Sequence, residues 1–384
     1  MGTEYSEPTD AWSHISSGSI CSYVTLETSR LVIDPDGDLS LKVGQIKCVN
    51  ISPNGEKSDH CTLDSDHDHE LPAIYTVCSR TLSRASPVWK ALLYGGFAES
   101  KPSCASSASD WLVELPDDNP KAMATILNII HSRFESIPRV KELVDIEDLY
   151  QLTVLTDKYD LTAILRPWAS VWMEHAKEKW MLFSSMPQIE RLSWIAWELG
   201  DSFLYGKATE HLAANCSVDT NGDLLYYNDN KAATLYSSTL EPPGLCELLK
   251  LIRLNSIKAI LAVYGNIIEE LLQRPGSLKP STICKFGSET CEAAILGTMI
   301  RSLAWSGYWP LPVTTDVRMN LIMIWTHFKA INIQSPVHPE CQGIKKKESA
   351  FLKASVPTVI FPLPIKERMA KQAAKSGCLG WYTL

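Results

Sequence analysis

WLVELPDDNPKAMATILNIIHSRF (Trp111–Phe134) and DIEDLYQLTVLTDKYDLTAILRPWASVWM (Asp145–Met173) are the stretches that decide the fold. Trp111, Val113 and Leu115 alternate with Leu112 and Glu114, the period of two that suits a half-buried strand. PDDNP then stops the strand and starts a helix. Asn119 is a good N-cap, and Pro120 falls where a missing N–H costs nothing. Asp117 and Asp118 lie at the positive end of that helix. Met123, Ile126, Leu127, Ile130 and Phe134 recur at helical spacing and predict one apolar stripe. Asp145 is predicted to cap a second helix carrying Leu149, Leu152, Leu155 and Tyr159. Leu165, Trp168, Ala169 and Trp172 predict a third, with Pro167 near its first turn, where it is tolerated.

Working upstream, Leu31–Ile33 and Leu39–Val43 read as short strands, and DPDG between them (Asp34–Gly37) is a hairpin signal. Leu39, Leu41 and Val43 should share one face. Ala73–Cys78 reads as the next strand. It runs into SRTLSRASPVWKALLYGGF, two short helices, the second capped by Ser83 or Ser86, opened by Pro87 and closed by Gly95-Gly96. Gln45–Leu71 is polar and acidic and reads as a long surface insertion. Its His60, Cys61, His67 and His69 read as loop residues that touch metal weakly, since acidic neighbours supply no fixed geometry.

Strand, PDDNP turn, helix and DLYQLTVLTDKYDLTAILRPW resemble the second half of a BTB/POZ domain, in the form common in fungal proteins. Upstream, Tyr75, Val77, Leu82 and Ser86 match the family's aromatic-x-Val, Leu and Ser positions. Trp89 stands where the family has Phe, and Cys78-Ser79 where it has His-Lys. The resemblance covers about residues 28–175. It implies an α+β domain, a small sheet with packed helices, that acts as a protein-interaction scaffold and can self-associate as a homodimer. Phe97-Ala98-Glu99 resembles the hydrophobic-x-Glu that the family places on a cullin contact. The resemblance therefore implies a second role, substrate adaptor of a cullin ubiquitin ligase, with Phe97 and Glu99 as partner-binding residues. Read as residues alone, Phe97 can equally be a loop aromatic closing the core.

The rest of the chain divides around that unit. Residues 1–27 are polar and expected to be disordered, and 176–384 form a mainly α-helical C-terminal region. Helices are predicted at Ile189–Leu199, Phe203–Ala214, Leu245–Leu272, Glu289–Trp305 and Arg318–Ile331. Residues 216–240 read as loop with a brief strand, and the tail from about Pro336 as irregular, with a late basic helix at Lys366–Lys375. In the long helix, Leu248, Leu251, Ile252, Asn255 and Ala259 trace the expected buried face. Trp168, Trp172, Trp194 and Trp197 are spaced as helix-core residues.

Of the 384 residues 45% are hydrophobic, enough for substantial cores, and the net charge is −8. That balance argues against nucleic acid and anionic membrane as partners; Lys345–Lys347 is too short to change it. No leader-like segment opens the chain, and no apolar run is read as reaching the ~18–20 residues that span a bilayer. The expected location is cytoplasmic or nuclear, with the eleven cysteines mostly reduced.

No G-x-S-x-G, P-loop, G-x-G-x-x-G or H-E-x-x-H occurs, so an enzyme with a helical C-terminal domain is disfavoured and no catalytic residue is assigned. The sharpest constellation is Cys284, Cys291, His338 and Cys341. Cys-x6-Cys leads into one predicted helix and His-x2-Cys follows the next, so a helical hairpin can bring both ends together. Three thiolates and an imidazole form a tetrahedral set for structural zinc. Cys291 can equally face the core as a small hydrophobe. The same residues, with Trp309-Pro310 between them, also resemble the back half of fungal BTB proteins, a resemblance that implies no metal. Apart from zinc, no cofactor is expected.

Overall fold

The computed structural model describes residues 29–45, 49–50, 61–62, 71–103, 111–137, 145–183, 185–228, 231–273, 283–335, 337–338, 341 and 360–378. The expected disordered tail at 1–27 lies outside them, as does most of the 45–71 insertion. The chain is α+β, with small sheets and a helical majority.

The first sheet joins β1 (Ser29–Val32), β2 (Leu39–Val43), β5 (Ala73–Val77) and β6 (Leu112–Leu115) in the order β1-β5-β2-β6. Within the insertion, β3 (Val49–Asn50) and β4 (Cys61–Thr62) pair antiparallel. In β2 and β5 every second side chain is buried, as the alternation requires. Leu41 lies opposite Tyr75 on one side and Val113 on the other, so three strands stack their apolar faces in register.

DPDG does not make a hairpin. The turn forms, with the Gly37 N–H donating to the Asp34 carbonyl at 3.1 Å, but β1 and β2 are not neighbours. β1 runs parallel to β5 on one side, and β2 runs antiparallel to β5 on the other. The reason is steric as well as topological. A Cβ on Gly37 would stand 2.8 Å from the Val77 carbonyl oxygen, so this glycine lets the chain cross the end of β5 instead of folding back on itself.

α1 (Ser79–Ala85) and α2 (Pro87–Tyr94) follow β5. Ser86 caps α2 by accepting from the Val88 and Trp89 N–H groups, and its own hydroxyl donates to the Tyr159 carbonyl. After β6, α3 (Pro120–Ile130) starts under the Asn119 cap, α4 (Ile146–Lys158) under Asp145, and α5 (Arg166–Lys179) with its proline in the first turn. The apolar stripe of α3 is shorter than its spacing predicts. The helix ends at Ile130, Ser132 takes a left-handed φ of 61°, and Phe134 swings out to 54% exposure.

α6 (Met186–Leu199) and α7 (Ser202–Asn215) pack against each other. Residues 216–240 are more regular than their sequence suggests: β7 (Ser217–Val218), β8 (Leu224–Asn228) and β9 (Lys231–Thr234) make an antiparallel sheet. α8 (Leu245–Leu271), α9 (Glu289–Trp305), α10 (Leu321–Lys329) and α11 (Leu363–Ser376) complete the described elements. α10 starts later than expected, at the Asn320 cap.

The buried face of α8 also differs from the expected one. Leu248 is buried and Ile252 half-buried as expected, but Leu251, Asn255 and Ala259 are exposed, while Leu249, Arg253, Ile257, Ile260 and Tyr264 are buried. A polar member of the true stripe hid it. Arg253 is 3% exposed and donates to the carbonyls of Cys216, Val317 and Met319, joining α8 to the strand β7 region and to the approach to α10. α8 is long and apolar enough to cross a bilayer by length and composition, contrary to the expectation that no run qualifies. Part of its surface is instead buried against the surrounding helices.

Among the described residues, buried apolar side chains form two clusters. One runs from Ile33 through the sheet and α1–α7 to Leu249, and includes Phe361, Met369 and Cys378. The other runs from Ile257 to Cys341. α11 is therefore a docked element, not a loose tail. Arg166 donates to the Ala374 carbonyl at 2.6 Å, Lys375 pairs with Asp160 at 3.1 Å, and the Ser376 hydroxyl donates to the Leu199 carbonyl at 2.6 Å.

The corner between α6 and α7 makes this docking possible. Gly200 has φ 75°, and a Cβ there would lie 2.1 Å from the Ala373 nitrogen. Gly200→Ala is expected to lose about 2–4 kcal/mol in denaturant unfolding, combining left-handed strain with the clash. Limited proteolysis should cut near α11 earlier than in the parent chain. Unchanged stability and cleavage would contradict the docking.

Candidate metal centre

Cys284 lies in the turn before α9, Cys291 in its first turn, and His338 and Cys341 beyond α10. Ser288 fixes the start of α9 by accepting from the Cys291 N–H, so Cys284 and Cys291 face each other across the helix entrance. α9 and α10 return the chain to the same end, and the Cys341 N–H donates to the His338 carbonyl at 3.1 Å. One ligating atom from each of the four residues falls within 4.8 Å of every other. The Cys284 sulfur stands 3.8 Å from the Cys341 sulfur and 3.7 Å from Nδ1 of His338.

All three sulfurs belong to buried residues. The Ser335 hydroxyl lies 2.9 Å from the Cys291 sulfur and also accepts the His338 backbone N–H at 3.1 Å. The Ser288 N–H points at the Cys284 sulfur from 3.4 Å. Phe286 covers the imidazole, ring centres 4.6 Å apart. Burial acts to raise the Cys284 thiol, but N–H groups of Ser288 and Phe286 and the Cys291 and His338 side chains outweigh it and bring the group down to about 7. Burial pushes Cys291 up to about 11, against the Ser335 hydroxyl. The cluster therefore holds one readily ionised sulfur, Cys284, beside a second, Cys291, that resists ionisation.

The two expected partner-binding residues sit elsewhere. Phe97 lies just after α2 and is 61% exposed, so it does not close the core. Glu99 is half-buried, and its carbonyl accepts from the Trp111 indole N–H at 2.9 Å. That bond ties the short 97–99 segment to the start of β6. A separate open groove of about 590 Å³ is lined by Ala85, Ile129, Phe134, Ile164 and Trp168, among others. Of the histidine-rich set in the insertion, His60, His67 and His69 lie outside the described residues, and for Cys61 only the backbone in β4 is described.

Several buried polar groups escape sequence reading because their partners are distant. The Asp118 carboxylate, 3% exposed, meets Lys158 at 2.5 Å and accepts from the Tyr159 hydroxyl at 2.5 Å. Glu190 accepts from the Tyr236 N–H and the Thr239 hydroxyl. Glu198, 1% exposed, accepts from the Thr162 hydroxyl and from the Gln372 amide. For Glu190 and Glu198 the one local signal is a carboxylate at a core position of α6; Asp118 lies in a turn and has none.

No protein-family model matches the chain, and no curated protein matches it.

Burial, with the nearby Asp157 charge, lifts Glu198 to about 7, against the hydrogen bonds from Thr162 and Gln372. An unfolded chain releases that proton near 4.5, so the folded chain binds more protons between these values. Stability should fall as pH rises through that window. Relative to Glu198→Gln, the parent chain is expected to lose roughly 1–3 kcal/mol across it. Denaturant melts of both proteins at a series of pH values measure this; parallel curves would refute it.

Proposed function

We propose that this chain is a protein-interaction scaffold built on a BTB/POZ-like domain at its N-terminal side. The observation that carries the reading is Phe97: a large aromatic held in solvent on a short segment whose backbone is anchored by Trp111. An exposed aromatic two residues from a carboxylate could serve as a small protein-binding anchor with a charged rim. The order of elements supports the family resemblance: leaving aside the β3–β4 pair of the insertion, three strands of the first sheet are followed by two short helices, the sheet's fourth strand and then three longer helices. The buried charged groups support a scaffold over an enzyme. Asp118, Glu190, Glu198 and Arg253 each direct their polar atoms at structural partners.

A second reading rests on the same residue. Phe97-Ala98-Glu99 matches the hydrophobic-x-Glu that the BTB family places on cullins, which makes a cullin ubiquitin ligase adaptor the more specific form of the proposal. The helical region would then be the substrate-binding part.

Affinity purification of the full-length chain from its own cells, followed by mass spectrometry, tests both. Phe97→Ala should leave stability within about 0.5 kcal/mol, because the ring is exposed, while weakening capture at least tenfold. A cullin lost in that variant supports the adaptor. Self-association measured by light scattering, without a cullin, supports the scaffold alone. A monomer that captures no protein overturns both.

A further inference from the structure

We propose that Cys284, Cys291, His338 and Cys341 bind one structural zinc ion. The argument begins with distances. Tetrahedral zinc holds sulfur at about 2.3 Å and imidazole nitrogen at about 2.0–2.1 Å, so ligand-to-ligand edges come out near 3.8 Å for two sulfurs and about 3.6 Å for sulfur and nitrogen. The cluster shows 3.8 Å and 3.7 Å for the Cys284–Cys341 and Cys284–His338 edges. A disulfide would need the sulfurs at about 2.05 Å, so the Cys284–Cys341 pair is spaced for a shared ion and not for a bond.

Chemistry narrows the ion. Three thiols and an imidazole are soft and borderline donors, which favour zinc over magnesium or calcium. All four positions of a tetrahedron come from protein, which leaves no place for water or substrate. That is the arrangement of a structural site, as opposed to a catalytic one. Ionising three buried thiols side by side would be strongly unfavourable without a cation among them.

The surroundings are those of a built site. Ser335, 5% exposed, touches the Cys291 sulfur with the same hydroxyl that accepts the His338 backbone N–H, so one side chain contacts one ligand and fixes the main chain that carries another. The Ser288 N–H is directed at the Cys284 sulfur. Outer partners of this kind set ligand orientation and ligand basicity. The nitrogen placed among the sulfurs is Nδ1, and Phe286 shields the ring. The ion would clip the entrance of α9 to the segment after α10, closing residues 284–341 around the second core cluster.

The test uses the full-length chain, purified without chelator or metal-affinity resin. Elemental analysis should find one zinc per chain, and exchange for cobalt(II) should give the intense visible absorption of a tetrahedral thiolate site. His338→Ala and Cys341→Ser should each lower zinc content at least tenfold. If either fails to fold, His338→Cys keeps four donors and should retain the metal with an altered cobalt spectrum. Ser335→Ala should weaken zinc binding by roughly 10–100-fold in a chelator competition. Three outcomes overturn the proposal: a folded chain without stoichiometric metal, a Cys284–Cys341 disulfide in the native protein, or zinc retained in full by the double variant His338→Ala/Cys341→Ser.

Discussion

The fold depends on one buried carboxylate. Asp118 sits in the turn between β6 and α3, almost wholly out of water, and an ionised carboxylate there is tolerable only if it is paired. Lys158 and Tyr159, at the end of α4, supply the pairing. The lysine keeps its ammonium half in solvent, which limits its own desolvation cost. Tyr159 then stacks on Trp89 of α2, ring centres 4.5 Å apart, while its carbonyl accepts from Ser86 at the cap of the same helix. The Tyr75 hydroxyl donates to the Pro120 carbonyl, adding the sheet. A single turn thus fixes the sheet, α2 and α4 relative to one another, and every helix that later packs on α4 inherits that placement.

Two further polar devices carry the arrangement outward. Glu198 and its partners hold α11 against α6, so an element near the C-terminal end of the sequence completes the core begun by the N-terminal sheet. Arg253 works at the opposite end of that core. Its guanidinium satisfies three backbone carbonyls at the level of α8 where one apolar cluster gives way to the other. Planar, multidentate donation of this kind suits arginine and not lysine, which offers a single point charge. Both devices use polar groups inside apolar surroundings, where each fixes a specific geometry because leaving a partner unmet would be costly.

The candidate sites were unequally legible. Cys284, Cys291, His338 and Cys341 could be named from residue type and from the helices that separate them, because thiols and imidazoles carry their chemistry wherever they stand. Their convergence depended on α9 and α10 folding back on each other. Ser335 and Phe286 gave no sequence signal, since a serine and a phenylalanine are informative only once their neighbours are known. Phe97 could be read two ways, as a core residue or as an exposed one, and hydrophobicity alone does not separate them. Its exposure follows from where α2 ends and where Trp111 pulls the following backbone.

Local physics was determined by the sequence itself. Asn119, Asp145 and Ser86 cap helices because their side-chain oxygens reach adjacent N–H groups, and Leu39, Leu41 and Val43 share a face because strand geometry alternates. The tertiary structure decided everything that depends on distant partners. DPDG became a crossover because β5 occupies the place between β1 and β2 and Gly37 leaves room for its backbone. The face of α8 was set by carbonyls of β7's neighbourhood and the α10 approach, which Arg253 satisfies. Caps and alternation act over a few residues and can be read in order. Strand pairing, buried charge and ligand convergence join residues tens to hundreds of positions apart, and no local pattern encodes which partner the fold will bring.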